Sequence, residues 1–143
     1  MKGHRYFLDT NIFLRVIVKD NKEKLAACEA LFEMIEQGKI KAFTSHLVLA
    51  EIVWTAQKSL GIPKKDIIKI LEGILHIKNL KIEDGFDLSL AIHYFQTSPV
   101  KFVDALIASH TFIQKKETVV VSYDKDFDTI GIIRKEPSEL VMA

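Results

Sequence analysis

One cysteine, Cys28, is the only thiol in the chain, which excludes an internal disulfide and fits a reducing compartment. Three prolines and six glycines, scattered along 143 residues, leave no linker rich enough to separate a pair of domains. No internal repeat or low-complexity tract is present. Charge of one sign is lacking too: 20 Lys+Arg against 19 Asp+Glu give a net +1. That balance supplies almost no long-range pull on phosphate, so nucleic-acid binding would need a local basic face. No apolar run approaches the ~20 residues that cross a bilayer. Met1-Lys2-Gly3-His4-Arg5 leads into a short apolar stretch that Asp9 interrupts, which is not the pattern of a signal peptide. With 48% hydrophobic and 27% charged residues, the expectation is one folded domain over 1–143, cytoplasmic and without membrane contact.

Short apolar runs alternate with longer segments of helical spacing. Tyr6-Phe7-Leu8 reads as a buried strand that stops at Asp9-Thr10-Asn11, with Asn11 as a helix N-cap. Leu25, Cys28, Leu31, Phe32 and Ile35 form the stripe of a second helix, which Gly38 ends. A strand over 41–44 leads into a helix capped by Ser45 or Thr44 and running to about Leu60. Gly61 and Pro63 mark a stop and a restart, and Ile67, Ile68, Leu71, Ile74 and Leu75 make the next helical face. A short strand at 80–82 precedes a helix capped by Asp84, and a further helix is expected from Phe102 to Lys115. Thr118–Val121 is β-branched throughout, as in a strand covered on both faces. This alternation predicts an α/β fold with a parallel sheet between helical layers.

Folds of this class carry functional groups at the carboxyl ends of their strands. Asp9 stands at one such end, and Asp124, Asp126 and Asp128 follow another. Asp9 alone could be a turn residue or an N-cap, and Asp124-Lys125-Asp126 a solvated turn. Glu51 and Asp104 are harder to explain blandly, because each is a single charge inside an apolar run, Leu47–Trp54 and Phe102–Ala108. Ionised side chains are rarely buried unless paired or bound to a cation. Snorkelling of Glu51, or a helix dipole holding Asp104, remains open for either one alone. Together, four carboxylates suit a hard divalent cation such as Mg2+ or Mn2+. The five histidines, His4, His46, His76, His93 and His110, and the lone Cys28 show no zinc spacing.

Leu8-Asp9-Thr10-Asn11, Ala50-Glu51-Ile52, Val103-Asp104-Ala105-Leu106-Ile107-Ala108 and Ser122-Tyr123-Asp124-Lys125-Asp126-Phe127, in this order, resemble the PIN-domain family. Within it the chain looks like the toxin ribonucleases of VapBC toxin–antitoxin pairs, over about residues 5 to 128. The resemblance implies a Rossmann-like three-layer α/β/α sandwich and a Mg2+- or Mn2+-dependent endoribonuclease. It carries Asp9, Glu51, Asp104 and Asp124 over as catalytic metal ligands, with Asp126 as a second-rank or shared ligand. Thr10, Asn11 and Ser122 match residues that brace those carboxylates.

Activated water attacking the scissile phosphate would leave 5′-phosphate and 3′-hydroxyl ends. Arg15, Lys101 and Lys125 are candidate phosphate contacts, and Trp54, Tyr94 and Tyr123 candidate stacking surfaces. The implied partners are an RNA substrate (tRNA, rRNA or mRNA), a cognate antitoxin and a second copy in a homodimer. The isoleucine-rich stretch 67–75 has more apolar positions than one stripe needs, so it faces either a partner or the chain's own core. Three other readings stay open: an RNA-processing PIN nuclease, a non-catalytic binding relative, and a receiver-type phosphoacceptor, which would want an acidic pair after the first strand.

Overall fold

The computed structural model describes residues 3–142; Met1, Lys2 and Ala143, at the ends of the expected 1–143 span, lie outside the described residues. Five strands alternate with nine helices among those residues. They run β1 (Arg5–Leu8), α1 (Thr10–Val18), α2 (Lys22–Glu36), β2 (Lys41–Thr44), α3 (His46–Lys58), α4 (Lys64–Leu75) and β3 (Leu80–Ile82). Then follow α5 (Leu88–Thr97), α6 (Phe102–Ala108), α7 (Thr111–Gln114), β4 (Thr118–Val121), α8 (Asp126–Thr129), β5 (Arg134–Lys135) and α9 (Pro137–Val141).

All strand pairs are parallel, in the order β3-β2-β1-β4-β5. Consecutive side chains of a strand point to opposite faces, yet Tyr6, Phe7 and Leu8 are all buried, as are all four residues of β4. Helices therefore cover both faces, which is the expected three-layer sandwich. Phe7, Phe43, Ile52, Ile107 and Phe127 are fully enclosed in the main core. Replacing one of the phenylalanines by alanine would cost about 3–5 kcal/mol. The chain leaves β1 toward β2 and β3 on one side and returns to β4 and β5 on the other. The order reverses beside β1, and the ends of β1 and β4 at such a reversal are where folds of this class place their ligands.

Three local expectations are corrected. Asp9, not Asn11, caps α1: it is extended (φ −78°, ψ 164°) and accepts from Thr10 N, while Asn11 lies inside the first turn. Asp87, not Asp84, caps α5, because Asp84 is engaged by His46, whose backbone N–H and ring Nδ1 it accepts at 2.9 and 2.5 Å. The helix expected over 102–115 breaks at Ser109–His110 into α6 and α7. Buried His110 holds that break: its Nδ1 accepts from Phe112 N and its Nε2 donates to Glu83 O. In the stretch 67–75 Ile67 and Ile74 are buried in the chain's own fold, while Ile68 and Leu75 are exposed. No described helix is long and apolar enough to cross a membrane.

Candidate active site

β1 and β4 end side by side, with Leu8 opposite Val121. The next residue on each strand is Asp9 and Ser122, and both are buried. Ser122 Oγ donates to Asp9 Oδ2 at 2.6 Å, and Thr10 N donates to Asp9 Oδ1 at 2.8 Å. Asn11 Nδ2 reaches Asp9 Oδ2 at 3.4 Å and Ser122 Oγ at 3.2 Å, while its Oδ1 accepts from Tyr123 N. Burial pushes the Asp9 carboxyl up to about 6; the Ser122 and Thr10 hydrogen bonds hold it down, and the Glu51 and Asp124 charges raise it.

Asp104 arrives from α6, whose first turn follows extended Lys101. It is 3% exposed, and its Oδ2 is buried without a hydrogen-bond partner among the described residues. Its carboxyl is pushed up to about 8, first by burial, then by the hydrogen bond and charge of Asp124. Asp124 goes the other way. Burial would raise it, but the hydrogen bond from Asp104, the Asp126 N–H at 2.9 Å and the Lys101 ammonium hold it below the ordinary carboxylate value. One oxygen each from Asp104, Asp124 and Asp126 lies within 4.8 Å of the others.

Glu51 comes from α3, which Ser45 caps directly after β2. Its Oε1 accepts from Thr10 Oγ1, so the residue after Asp9 ties Glu51 to the β1 end. Lys101 Nζ lies 3.6 Å from Asp124 Oδ2, and the charges of Asp104, Asp124, Glu51 and Asp9 outweigh burial to raise its pKa. The structure thus gathers Asp9, Glu51, Asp104, Asp124, Asp126 and Lys101 at the ends of β1 and β4, with Asp104, Asp124 and Asp126 as the tight group and Thr10, Asn11 and Ser122 bonded to Asp9 or Glu51.

The two other expected phosphate contacts make no ion pair with this group among the described residues. Arg15 is bonded to Asp20 at 3.2 Å and lies over the Tyr123 ring. Lys125, exposed, precedes α8 between Asp124 and Asp126 and makes no ion pair among the described residues. Of the aromatics, Trp54 is exposed under Lys58, whereas half-buried Tyr123 carries Lys24 and Arg15 on its ring and its hydroxyl lies 3.6 Å from Cys28 Sγ.

Arg134 is the site residue that sequence reasoning missed. From β5 its guanidinium donates to Ser122 O at 3.0 Å, to both Asp128 oxygens at 3.1 and 3.0 Å, and to Glu136 Oε2 at 3.1 Å. It clamps the 122–128 segment that carries Asp124 and Asp126. The only signal in the sequence is an arginine set against the apolar pair Ile132-Ile133, with nothing local to reveal its partners.

The donor set fits a hard cation. Like charges about 4 Å apart repel by on the order of 4 kcal/mol at an effective dielectric near 20, so the cluster needs protons or a cation to stand. The buried Asp104 oxygen without a donor leaves a lone pair free to coordinate an ion. Oxygen donors without Cys or His suit Mg2+ or Mn2+ rather than Zn2+.

A family profile described as PIN domain matches residues 6–133. No curated protein matches the sequence. Among solved structures, the chain is similar to VapBC2 from Rickettsia felis, crystallised bound to a DNA fragment from their promoter. The identity is 25% and the TM-score 0.66, over 92% of this chain and 98% of that one. PAE2754 from Pyrobaculum aerophilum superposes with a TM-score of 0.68 at 17% identity, over 97% and 95% of the two chains. VapC20 from Mycobacterium tuberculosis, a Sarcin-Ricin loop cleaving toxin, gives 0.62 at 16% identity, over 90% and 96%. These last two likenesses are of fold.

Proposed function

Because the chain belongs to the PIN domain family, we propose that residues 1–143 act as one nuclease domain that cuts RNA with Mg2+ or Mn2+, as the toxin of a toxin–antitoxin pair. One observation carries the reading. Oxygens of Asp104, Asp124 and Asp126 meet within 4.8 Å beside buried Asp9, and an Asp104 oxygen is left without a donor.

Asp9, Glu51, Asp104 and Asp124 would hold the cation, with Asp126 beside them. When bound, the cation supplies Lewis-acid charge to the phosphoryl oxygens and to the activation of water. The chain's own residues prepare that site. Ser122 and Asn11 fix one Asp9 oxygen, Thr10 N fixes the other, and the Thr10 hydroxyl fixes Glu51. Asp104, its carboxyl pushed up to about 8 by burial and Asp124, would hold a proton at neutral pH that a bound cation would displace, so metal affinity would rise with pH. Lys101, 71% exposed at the rim, is the cation best placed to meet a phosphate. Arg15 would first have to leave Asp20.

The likeness to the Rickettsia VapBC2 pair supports a cognate antitoxin. An apolar groove of about 690 Å3 between α1, α2 and α4 suits one helix of it, lined by Phe13, Val16, Ile17, Phe32, Ile70 and Ile74. Glu29, Glu33, Glu36 and Asp66 rim the groove against a single Lys19, so the docked helix is amphipathic with basic flanks. For the homodimer, α5 has no charged residue and exposes Leu88, Ile92 and Phe95, a face that meets its own copy without like-charge repulsion.

The test is cleavage of total tRNA and rRNA with Mn2+ or Mg2+, beside EDTA and the variants Asp9→Asn and Asp104→Asn. The reading expects cutting that stops in all three controls and leaves 5′-phosphate and 3′-hydroxyl ends. Equal cutting by the variants, or 2′,3′-cyclic phosphate ends, would overturn it.

A further inference from the structure

At the end of the sheet opposite the acids, where β1, β2 and β3 begin, lies a second cleft of about 890 Å3. Its charged lining is of one sign: Arg5, Lys39, Lys41 and Lys81, joined by His4, with no acidic side chain among the described lining residues. Glu83 takes up Arg5 at 2.5 Å. Lys39, Lys41 and Lys81 are exposed and make no ion pair among the described residues. Three uncompensated charges in one cleft stand out in a chain whose net charge is +1. His4 Nδ1, at the same cleft, is buried without a hydrogen-bond partner among the described residues.

The wall that carries the lysines is held in place. Gly38 (φ +75°) turns the chain out of α2 toward Lys39, and Asn79 (φ +70°) donates its Nδ2 to Glu36 O at 3.0 Å. From these observations we propose that the cleft is a phosphate-binding contact for the backbone of RNA, separate from the acidic centre. Lysine ammonium groups are point charges that suit phosphate without reading sequence. Tyr6, the one Phe, Tyr or Trp among the described lining residues, is 1% exposed, so the cleft offers no large aromatic platform for a base. That favours a phosphodiester backbone over a free nucleotide. The β1 strand, about 13 Å long at ~3.3 Å per residue, separates the cleft from the acids, so only longer RNAs reach both.

The inference takes its ligand from the nuclease reading, but binding alone tests it. Fluorescence anisotropy of a labelled single-stranded RNA of about 20 nucleotides, in EDTA over a salt series, compares two variants of equal net charge. One combines Lys39→Gln, Lys41→Gln and Lys81→Gln; the other combines Lys64→Gln, Lys65→Gln and Lys69→Gln on exposed positions of α4. The cleft variant should keep the native melting temperature and bind on the order of 10–100-fold more weakly at about 0.1 M salt, with a log–log salt slope shallower by about 2. The α4 variant should change far less. Equal affinity and slope in the two variants would overturn the proposal. So would an absence of RNA binding by the native chain, or a nucleoside triphosphate that needs the cleft lysines while RNA does not. A chain that binds RNA through the cleft yet never cuts it sinks the nuclease reading and leaves this one standing.

Discussion

Ser122 Oγ donates to Asp9 Oδ2 at 2.6 Å across the ends of β1 and β4, one residue beyond the Leu8–Val121 register. The same oxygen accepts from Asp124 N at 3.0 Å and from Asn11 Nδ2 at 3.2 Å. One hydroxyl thus sets the position of Asp9 and of the turn that carries Asp124. Ser122→Ala strips Asp9 of its shortest hydrogen bond and leaves the Asp124 N–H unpaired. The expected loss is about 1–3 kcal/mol of stability. Mn2+ affinity should fall about 10–100-fold, as when the partners of metal ligands are removed. Thermal melting and calorimetric Mn2+ titration check both, and unchanged Mn2+ affinity would show that the hydroxyl only supports the fold.

Without a cation the acids make the protein less stable as pH rises. Asp9 and Asp104 have carboxyls raised to about 6 and about 8, above the ordinary 3.8 of an unfolded aspartate. Between those values the unfolded chain has released protons that the folded chain still binds, so raising the pH favours unfolding. The contribution is fully present below about pH 4 and is lost as pH climbs through about 6 for Asp9 and about 8 for Asp104. In EDTA the melting temperature should fall by on the order of 10 °C between pH 5 and pH 8. Mn2+ should return most of it at pH 8, and Asp104→Asn should flatten the EDTA curve while removing the Mn2+ response. A melting temperature flat across this range in EDTA would mean that the carboxyls are not held protonated.

Lys101 would compete with a bound cation for the same acids. Its ammonium sits 3.6 Å from Asp124 Oδ2 in the field of Asp9, Glu51 and Asp104. Lys101→Gln should tighten Mn2+ binding several-fold, because a unit positive charge near the site is gone. It should also raise KM for RNA with little change in kcat, if the ammonium contacts phosphate in ground and transition state alike. Weaker Mn2+ binding in Lys101→Gln would overturn the competition.

How much of this was legible depends on whether the deciding contact is local. Glu51 and Asp104 can be found in the sequence because a lone charge inside an apolar run has a burial penalty to explain, and Asp9 because it ends an apolar strand. β1 and β4 can be found because a strand covered on both faces must be apolar at consecutive positions. His110 could not, since the break between α6 and α7 depends on Glu83 O, 27 residues away in the chain. Asp84 failed as a cap for the same reason: His46, 38 residues distant, offers it two donors where α5 would offer one. Arg15 and Lys101 both lie a few residues from an acid in sequence, and only the backbone path brings Lys101 to the acids while Arg15 turns to Asp20.

Arg134 gives the sharpest test of that distinction, because no local pattern marks it. Its side chain is 12% exposed and forks onto both oxygens of Asp128 while also donating to Ser122 O and Glu136. The carboxylates are partly solvated, at 52% and 33% exposure, so the ion pairs alone are worth about 1–2 kcal/mol, between surface and buried cases. The larger consequence is geometric. β5 has only two residues, and besides the Ser122 N–H to Lys135 O bond the clamp is what ties its side chains to the turn bearing Asp124 and Asp126. Arg134→Gln should therefore weaken Mn2+ binding by about tenfold and speed amide exchange at residues 123–129. Arg134→Lys should recover some of the stability but little of the Mn2+ affinity, because an ammonium restores the charge and not the planar fork. Equal recovery of both by lysine would mean that charge, not the fork, holds the 122–128 turn in place.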